Sequence, residues 1–399
     1  MLHWTELALK KAGYETREAF QRAMGLYSSI GWDFPTCRAL WPWVPGFVYH
    51  RASSGETLYG LAQRYRSSVQ SIRMANRGLR DRELLSGQLL QVPLPCPVVT
   101  GEMPFGSQMQ EVFLEGLQAR FSILEASALT NTSGGRTVWM LRVGTGKRKV
   151  LLTGGHHANE YLTCLLLLRL LEDYCNAIRD NGGVFGFSAR QLLERTSLYV
   201  VPMVNPDGVD LVTGELLPES REYQCAAKMA AISPRTRFPS GWKANLQGVD
   251  LNLNYPTGWE RAKKIKAQAG VCRPGPRDYA GDYPLDQPET KALQEWTCRL
   301  KPHVMAAWHT QGKEIYGARP DGSFPDEALA RRMAKASGYR LAEVPPESAN
   351  GGFRDWFLEE FDRPAFTIEA GLGENPLPLE QLETIYQENL PIFALLLAG

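Results

Sequence analysis

Lys149-Val150-Leu151-Leu152-Thr153-Gly154-Gly155-His156-His157-Ala158-Asn159-Glu160-Tyr161 is the stretch from which the fold of this chain is read. A β-type apolar run leads into two glycines, then His157-x-x-Glu160, then a Leu-rich helical run from Tyr161 to Tyr174. A strand that ends in a glycine turn presents side chains at the rim of a sheet, where α/β proteins keep their sites. His157 and Glu160 are three residues apart, so they share one side of a first helical turn or tight loop. An imidazole and a carboxylate are normal zinc ligands, and a catalytic zinc site usually has three protein ligands plus water. Taken alone, so short a motif is more often a helix start with its carboxylate facing the helix dipole. The rest of the chain decides between the two.

At 399 residues the chain can form one large domain plus one or two small ones. Hydrophobic content of 44% and charged content of 22% are those of a globular protein, and a net charge of +1 gives no signal for nucleic acid. Residues 1–100 hold twelve Lys and Arg against seven Asp and Glu, a bias toward an anionic partner at the front. The richest apolar run, Leu165-Leu166-Leu167-Leu168, ends at Arg169 and is too short for a membrane. Met1-Leu2-His3-Trp4-Thr5-Glu6 lacks a basic region followed by an apolar core, so no secretory signal is expected. Seven scattered Cys with no CxxC do not read as a disulfide framework or a Cys-zinc site. These features lead to an expectation of a cytoplasmic protein, and they carry no signal for oligomeric state.

The front of the chain reads as two small modules. Residues 5–24 form two short helices around Gly13, followed by a turn and Thr36-Cys37-Arg38-Ala39-Leu40. This order resembles a degenerate form of the small helical peptidoglycan-binding module, which makes residues 1–45 a helical cap with or without a ligand. Residues 46–95 read as strand, helix, helix, strand. Val48-Tyr49-His50-Arg51 opens the unit, Ser67-Ser68 caps the second helix, and Leu89-Leu90-Gln91-Val92-Pro93 closes it. Gly55-x-Thr57-Leu58, Ala62, Asn76, Leu79 and Gly87-Gln88-x-Leu90-x-Val92-Pro93 resemble the LysM domain. That resemblance implies binding of N-acetylglucosamine-containing glycans such as peptidoglycan. Pro93-Leu94-Pro95-Cys96-Pro97 reads as a stiff connector, so 96–104 is taken as a linker and 105–399 as the main domain. This division implies that deleting residues 1–95 leaves turnover of small soluble peptides nearly intact and weakens binding to insoluble peptidoglycan.

Strand-like runs alternate with helical patterns through the main domain, which argues for an α/β sheet flanked by helices. Four separated signals stand out. His157-x-x-Glu160 is the first. His309 ends the apolar strand Val304-Met305-Ala306-Ala307-Trp308 and precedes Thr310-Gln311-Gly312. Glu369 ends Ala365-Phe366-Thr367-Ile368, and a carboxylate there is costly to bury without a partner or a task. Asn205-Pro206-Asp207-Gly208 reads as a structural turn.

In this order the signals resemble the M14 zinc carboxypeptidase family over roughly residues 105–398. Gly248-Val249-Asp250-Leu251-Asn252, Tyr279-x-Gly281, and Asp355 fourteen residues before Glu369 add to the likeness. The resemblance implies a mixed central sheet flanked by helices and one zinc ion. It assigns the ligands to His157, Glu160 and His309, and the general base and acid to Glu369. Lys243 aligns with the family's oxyanion arginine. The family clamps a terminal carboxylate with an Asn-Arg pair, but here the pair is Asn252-Leu253. The family's mobile tyrosine falls near Glu347. Arg354 aligns with the base of the specificity pocket, where a cation favours a substrate carboxylate and competes with a plain salt bridge.

Within that family the bacterial γ-D-glutamyl-L-diamino acid endopeptidases come nearer. They share the coupling to LysM and resemble His156-His157-Ala158-Asn159-Glu160, Trp242-Lys243-Ala244-Asn245, His309-Thr310-Gln311-Gly312-Lys313-Glu314-Ile315-Tyr316 and Asn375-Pro376-Leu377-Pro378-Leu379. The implied reaction is hydrolysis between the D-glutamate γ-carbonyl and the diamino acid of peptidoglycan stem peptides. Asn252, Arg354 and Gln311 are then substrate-binding residues. A stem-peptide carboxypeptidase, a deacylase on the same fold, and a non-catalytic wall-binding protein are the alternatives. Cell-wall association follows from the LysM resemblance.

Overall fold

The computed structural model describes residues 4–40, 46–79, 84–95, 97–101, 105–231, 236–319, 321–345 and 350–399. The expected tyrosine position near Glu347 lies outside the described residues.

An eight-stranded mixed sheet forms the centre of the main domain. Its middle is parallel: Ala365–Glu369 lies beside Val304–His309, then Arg148–Thr153, then Thr196–Val201. Antiparallel strands Thr137–Val143 and Leu124–Asn131 extend one edge. Glu314–Tyr316 and Arg340–Leu341 extend the other. Every residue of Val304–His309 is buried, as expected of a central parallel strand covered on both faces. Alternate side chains serve two cores. Val150 and Leu152 join one cluster with the helices Leu162–Arg179 and Leu382–Ala398, while Leu151 joins another with Tyr255, Phe353 and Phe357. The register pairs Glu369 with His309 and Thr153 with Ala307. Three parallel strands therefore end at one rim.

The turn at Asn205-Pro206-Asp207-Gly208 proves to be a helix start. Asn205 Oδ1 accepts the Gly208 amide, and Pro206 fills the first position of the helix Pro206–Thr213. Asp207, buried, then accepts from Thr132 Oγ1 at 2.7 Å and the Gly134 amide at 2.9 Å.

The front modules have the expected elements. Strands Phe47–Arg51 and Leu89–Pro93 pair antiparallel around the helices Leu58–Arg64 and Val69–Ala75, with Thr57 and Ser68 as caps. Leu61, Ile72, Leu90 and Val92 give this unit its own core. Helices Trp4–Lys11, Arg17–Ala23 and Phe34–Leu40 precede it.

The front helices also pack against the main domain. Ala8, Leu9, Phe20 and Leu40 belong to the same buried cluster as Val98, Phe113 and Leu165 of the main domain. The buried Arg120 guanidinium donates from Nε and Nη2 to the Gly46 carbonyl at 3.0 and 2.8 Å, and from Nη2 to the Leu94 carbonyl at 2.9 Å. It also pairs with Glu172 at 3.5 Å. Glu172 in turn accepts the amides of Val98 and Val99, each at 2.8 Å. Val98 and Val99 of the connector are thus held by a buried charge pair. Gly46 has φ +61, and a Cβ there would lie 2.4 Å from Arg120 Nη2, so only glycine admits this approach.

Removing one partner of a buried ion pair leaves the other charge uncompensated and costs about 3–5 kcal/mol. Arg120→Ala should lower the urea midpoint accordingly. Adding Glu172→Gln to that variant should recover part of the loss. A midpoint unchanged in Arg120→Ala would show that this contact does not hold the front to the main domain.

Candidate metal centre and cleft

Beyond Thr153 the chain turns sharply over the helix Leu162–Arg179. Gly155 has φ +63, and a Cβ on it would meet Cys164 Sγ at 2.6 Å. Thr163 Oγ1 accepts the Gly155 amide at 3.0 Å and donates to the Glu160 carbonyl at 2.8 Å, closing the loop on itself. Asn205 Nδ2 donates to the His156 carbonyl at 3.2 Å, and the Ala158 amide donates to the Lys243 carbonyl at 3.0 Å. The loop is therefore braced from three sides before its side chains are considered.

His157, Glu160 and His309 converge at the rim, with one ligand atom from each within 4.8 Å of the others. His157 Nδ1 lies 2.9 Å from Glu160 Oε1, His309 Nδ1 lies 2.9 Å from Glu160 Oε2, and the two Nδ1 atoms are 3.2 Å apart. Two Zn–N bonds of 2.0–2.1 Å in a tetrahedron put the nitrogens about 3.3 Å apart, so the spacing fits that ion. His157 Nε2 faces Asp250 Oδ1 at 3.2 Å. Such a carboxylate holds the ring proton on Nε2 and turns the Nδ1 lone pair toward a cation. His309 Nε2 is buried without a partner among the described residues. Burial opposes charge on His157, yet Glu160 and Asp250 raise its pKa to about 9, so this spot favours a positive charge. Burial also works against the Asp250 carboxylate, but the charges of His157, Lys243 and Lys266 hold it well below the usual range. Residue types, spacing and local charge all fit zinc.

Glu369 stands on the neighbouring strand end, paired through its backbone with the strands of His309 and Glu314, and its side chain makes no hydrogen bond among the described residues. Burial pushes its carboxyl up to about 8, with the charge of Glu160 adding to the rise. Lys243 Nζ lies 3.2 Å from Glu160 Oε1. Burial opposes charge there too, but Glu160 and Asp250 keep the ammonium pKa above its ordinary value.

These groups line a cleft of about 1030 Å³. Asn252 lines it as well. Its Oδ1 accepts the Phe353 amide at 3.2 Å, which leaves Nδ2 to donate. Leu253, in place of the clamp arginine, is buried. Gln311 lies exposed on the rim after a cis Thr310–Gln311 peptide bond. Arg354 opens the helix Phe353–Phe361 and is only 6% exposed. Its Nε and Nη2 both bond Asp355 Oδ1, while Nη1 is buried without a partner among the described residues. The salt bridge and the open donor are thus two edges of one guanidinium.

Sequence reasoning did not single out Asp250, although its motif was visible. Asn375 was missed in the same way. It donates to the Thr310 carbonyl at 2.9 Å and accepts from Thr310 Oγ1 at 2.7 Å, tying the loop after His309 to the one after Glu369. Asp250 lies 93 positions from His157, and Asn375 lies 65 from Thr310. Local pattern cannot reveal either contact.

Comparison with known proteins agrees with this geometry. The zinc carboxypeptidase family model matches residues 110–392, and the LysM domain model matches residues 50–93. Gamma-D-glutamyl-L-diamino acid endopeptidase 1 of Lysinibacillus sphaericus is 35% identical over 299 residues, spanning 74% of this chain and 73% of that protein. Bovine thrombin-activatable fibrinolysis inhibitor, solved with tick carboxypeptidase inhibitor, superposes with a TM-score of 0.57 at 18% identity, covering 75% of this chain and 97% of that one. Carboxypeptidase A of Helicoverpa armigera gives a TM-score of 0.55 at 17% identity over 76% of each chain. These two structures share the fold. The chain belongs to the zinc carboxypeptidase family of metallopeptidases, with a LysM domain ahead of the peptidase fold.

Proposed function

We propose that this zinc peptidase hydrolyses the bond between the D-glutamate γ-carbonyl and the diamino acid of peptidoglycan stem peptides. The observation that carries the reading is the cation pattern of the cleft. Buried Leu253 replaces the clamp arginine, and Arg354 keeps an unpartnered buried Nη1 instead. The relative from Lysinibacillus sphaericus, named for this reaction, supports it.

In this reading His157, Glu160 and His309 hold the zinc. Zinc bound there supplies a Lewis acid for the scissile carbonyl and a water of lowered pKa. Glu369 takes the water's proton and returns it to the leaving amine. Burial and the charge of Glu160 raise the pKa of this carboxyl, and the positive charge of a bound zinc ion would favour the carboxylate form that accepts the proton. Lys243 offers its ammonium to the negative charge that develops on the carbonyl oxygen. Asn252 and Gln311 donate to the substrate backbone, and Arg354 receives a carboxylate of the diamino acid. The LysM domain brings the enzyme to N-acetylglucosamine-containing glycan, which associates it with the wall. Residues 1–45 serve as a helical module, 46–95 as the LysM domain, 96–104 as a connector and 105–399 as the peptidase domain. No helix among the described residues is long and apolar enough to cross a membrane.

Mass spectrometry on the tetrapeptide L-Ala-γ-D-Glu-diaminopimelate-D-Ala tests the reading. Two dipeptides are expected. Release of D-Ala would make the enzyme a carboxypeptidase, and an intact substrate would leave a wall-binding protein.

Arg354 has its own signature. Arg354→Ala should lower kcat/KM on diaminopimelate peptides by roughly 1.5–3 kcal/mol, the worth of a hydrogen bond to a charged group. Peptides carrying lysine instead should lose less, because lysine has no side-chain carboxylate. Equal losses on the two substrates would reject side-chain recognition by Arg354.

A further inference from the structure

Four cations line the cleft among the described residues, and they are not equivalent. Lys243 is turned to Glu160. Arg237 pairs with Glu374 at 3.3 Å in a well-solvated contact. Arg354, on the helix Phe353–Phe361, has a buried Nη1 without a partner among the described residues. Arg277 bonds Asp278 Oδ2 through Nε alone at 2.9 Å, so both of its terminal amino groups are left to meet a ligand. Its side chain is 47% exposed and faces the same cleft as the triad.

The backbone around Arg277 is built rather than loose. On one side the Pro276 carbonyl accepts the amides of Lys243 at 2.8 Å and Ala244 at 3.0 Å. On the other, the Asp278 amide donates to Asp250 Oδ2 at 3.3 Å, and the Tyr279 carbonyl accepts the Asp250 amide at 2.7 Å. Lys266 Nζ holds the Asp278 carboxylate at 2.7 Å. Arg277 is therefore registered against Lys243, and through Asp250 against His157. The two charges are close enough that Arg277 counts among the groups lowering the Lys243 pKa, although Glu160 and Asp250 outweigh it.

Two open guanidinium groups on two separate elements suit a substrate with two carboxylates. The diamino acid supplies one of these on the amine side, and a γ-linked glutamyl residue supplies the other on the acyl side. Its γ-carbonyl is the scissile group, and its α-carboxylate stays free three carbons away. An α-linked peptide carries no charge on its acyl backbone at that place. Building on the γ-glutamyl reading above, we propose that Arg277 binds the free α-carboxylate of the γ-linked glutamyl residue and so sets preference for γ-linked acyl groups. Lys243 faces the scissile carbonyl and Arg277 stands beside it, so the cation and the carboxylate meet on the acyl side. Arg354 is left for the amine side. Arg277 contacts substrate without moving a proton, so its effect is on selectivity.

The test uses two peptides differing at one group: L-Ala-γ-D-Glu-diaminopimelate, and the same peptide with the glutamyl α-carboxylate converted to a carboxamide. Wild-type full-length enzyme should prefer the carboxylate by roughly 10- to 100-fold in kcat/KM, the range of one hydrogen bond to a charged group. Arg277→Gln should lose about that factor on the carboxylate and little on the carboxamide, with zinc content unchanged. Arg277→Lys, which keeps a charge without the fork, should recover part of the preference. Equal losses on both peptides, or none on either, would overturn the assignment of Arg277 while leaving γ-bond cleavage intact. A wild-type enzyme that cuts neither peptide at the γ bond would overturn this proposal together with the reading beneath it.

Discussion

Glu369→Gln should keep its zinc and lose at least about 10²-fold in kcat, the lower range for general acid–base catalysis. The substitution preserves shape and removes only the proton acceptor. The Glu369 side chain makes no hydrogen bond among the described residues, and the substitution leaves its backbone pairing in the sheet untouched, so the fold should not notice. The carboxyl is also the group that burial and Glu160 raise to about 8. The mutant amide cannot take a proton at any pH. Rates measured beside zinc content separate this effect from loss of metal. A Glu369→Gln enzyme with near wild-type kcat would remove Glu369 from the proton transfer.

The double variant His157→Ala/His309→Ala should hold no stoichiometric zinc and show no measurable turnover. In the wild type the Nδ1 atoms of His157 and His309, 3.2 Å apart, supply two of the three ligand groups, and the lone carboxylate left in the variant is a poor site for this ion. The variant also empties the space facing Asp250 and Lys243, so some loss of stability is expected. Circular dichroism should still report the sheet, because the strands Arg148–Thr153 and Val304–His309 pair through backbone and bury apolar side chains. Full retention of zinc would sink the site. Asp250→Asn offers a gentler version. It keeps the contact to His157 Nε2 but drops the negative charge, and loss of such an outer carboxylate typically costs 10–100-fold in metal affinity.

What could be read from the sequence was what local pattern encodes. Continuous apolar runs at Val150–Leu152 and Val304–Trp308 announced central strands, and both are buried. The cap at Ser67-Ser68 marked a helix start that the structure contains. Edge strands were less visible. Leu124–Asn131 is mostly exposed or half-exposed and shows no clear alternation, so nothing in its composition announces a strand. The helix Ser107–Arg120 was hidden by Gly116, which is there because a Cβ would approach Val98 Cγ1 to 2.9 Å. At the site, the grouping of His157, Glu160 and His309 followed from motif order. Asp250, Asn375 and Arg277 did not, because each acts through a tertiary contact. The pinned connector escaped for the same reason: Arg120 and Glu172 are 52 residues apart.

Zinc titration into chelator-stripped protein, followed by mass spectrometry of the tetrapeptide products, tests the central claim most directly. The account predicts that cleavage between D-glutamate and the diamino acid rises linearly and levels off at one zinc per chain. Cleavage that persists without zinc, or zinc-dependent release of D-Ala with the γ bond intact, would contradict it.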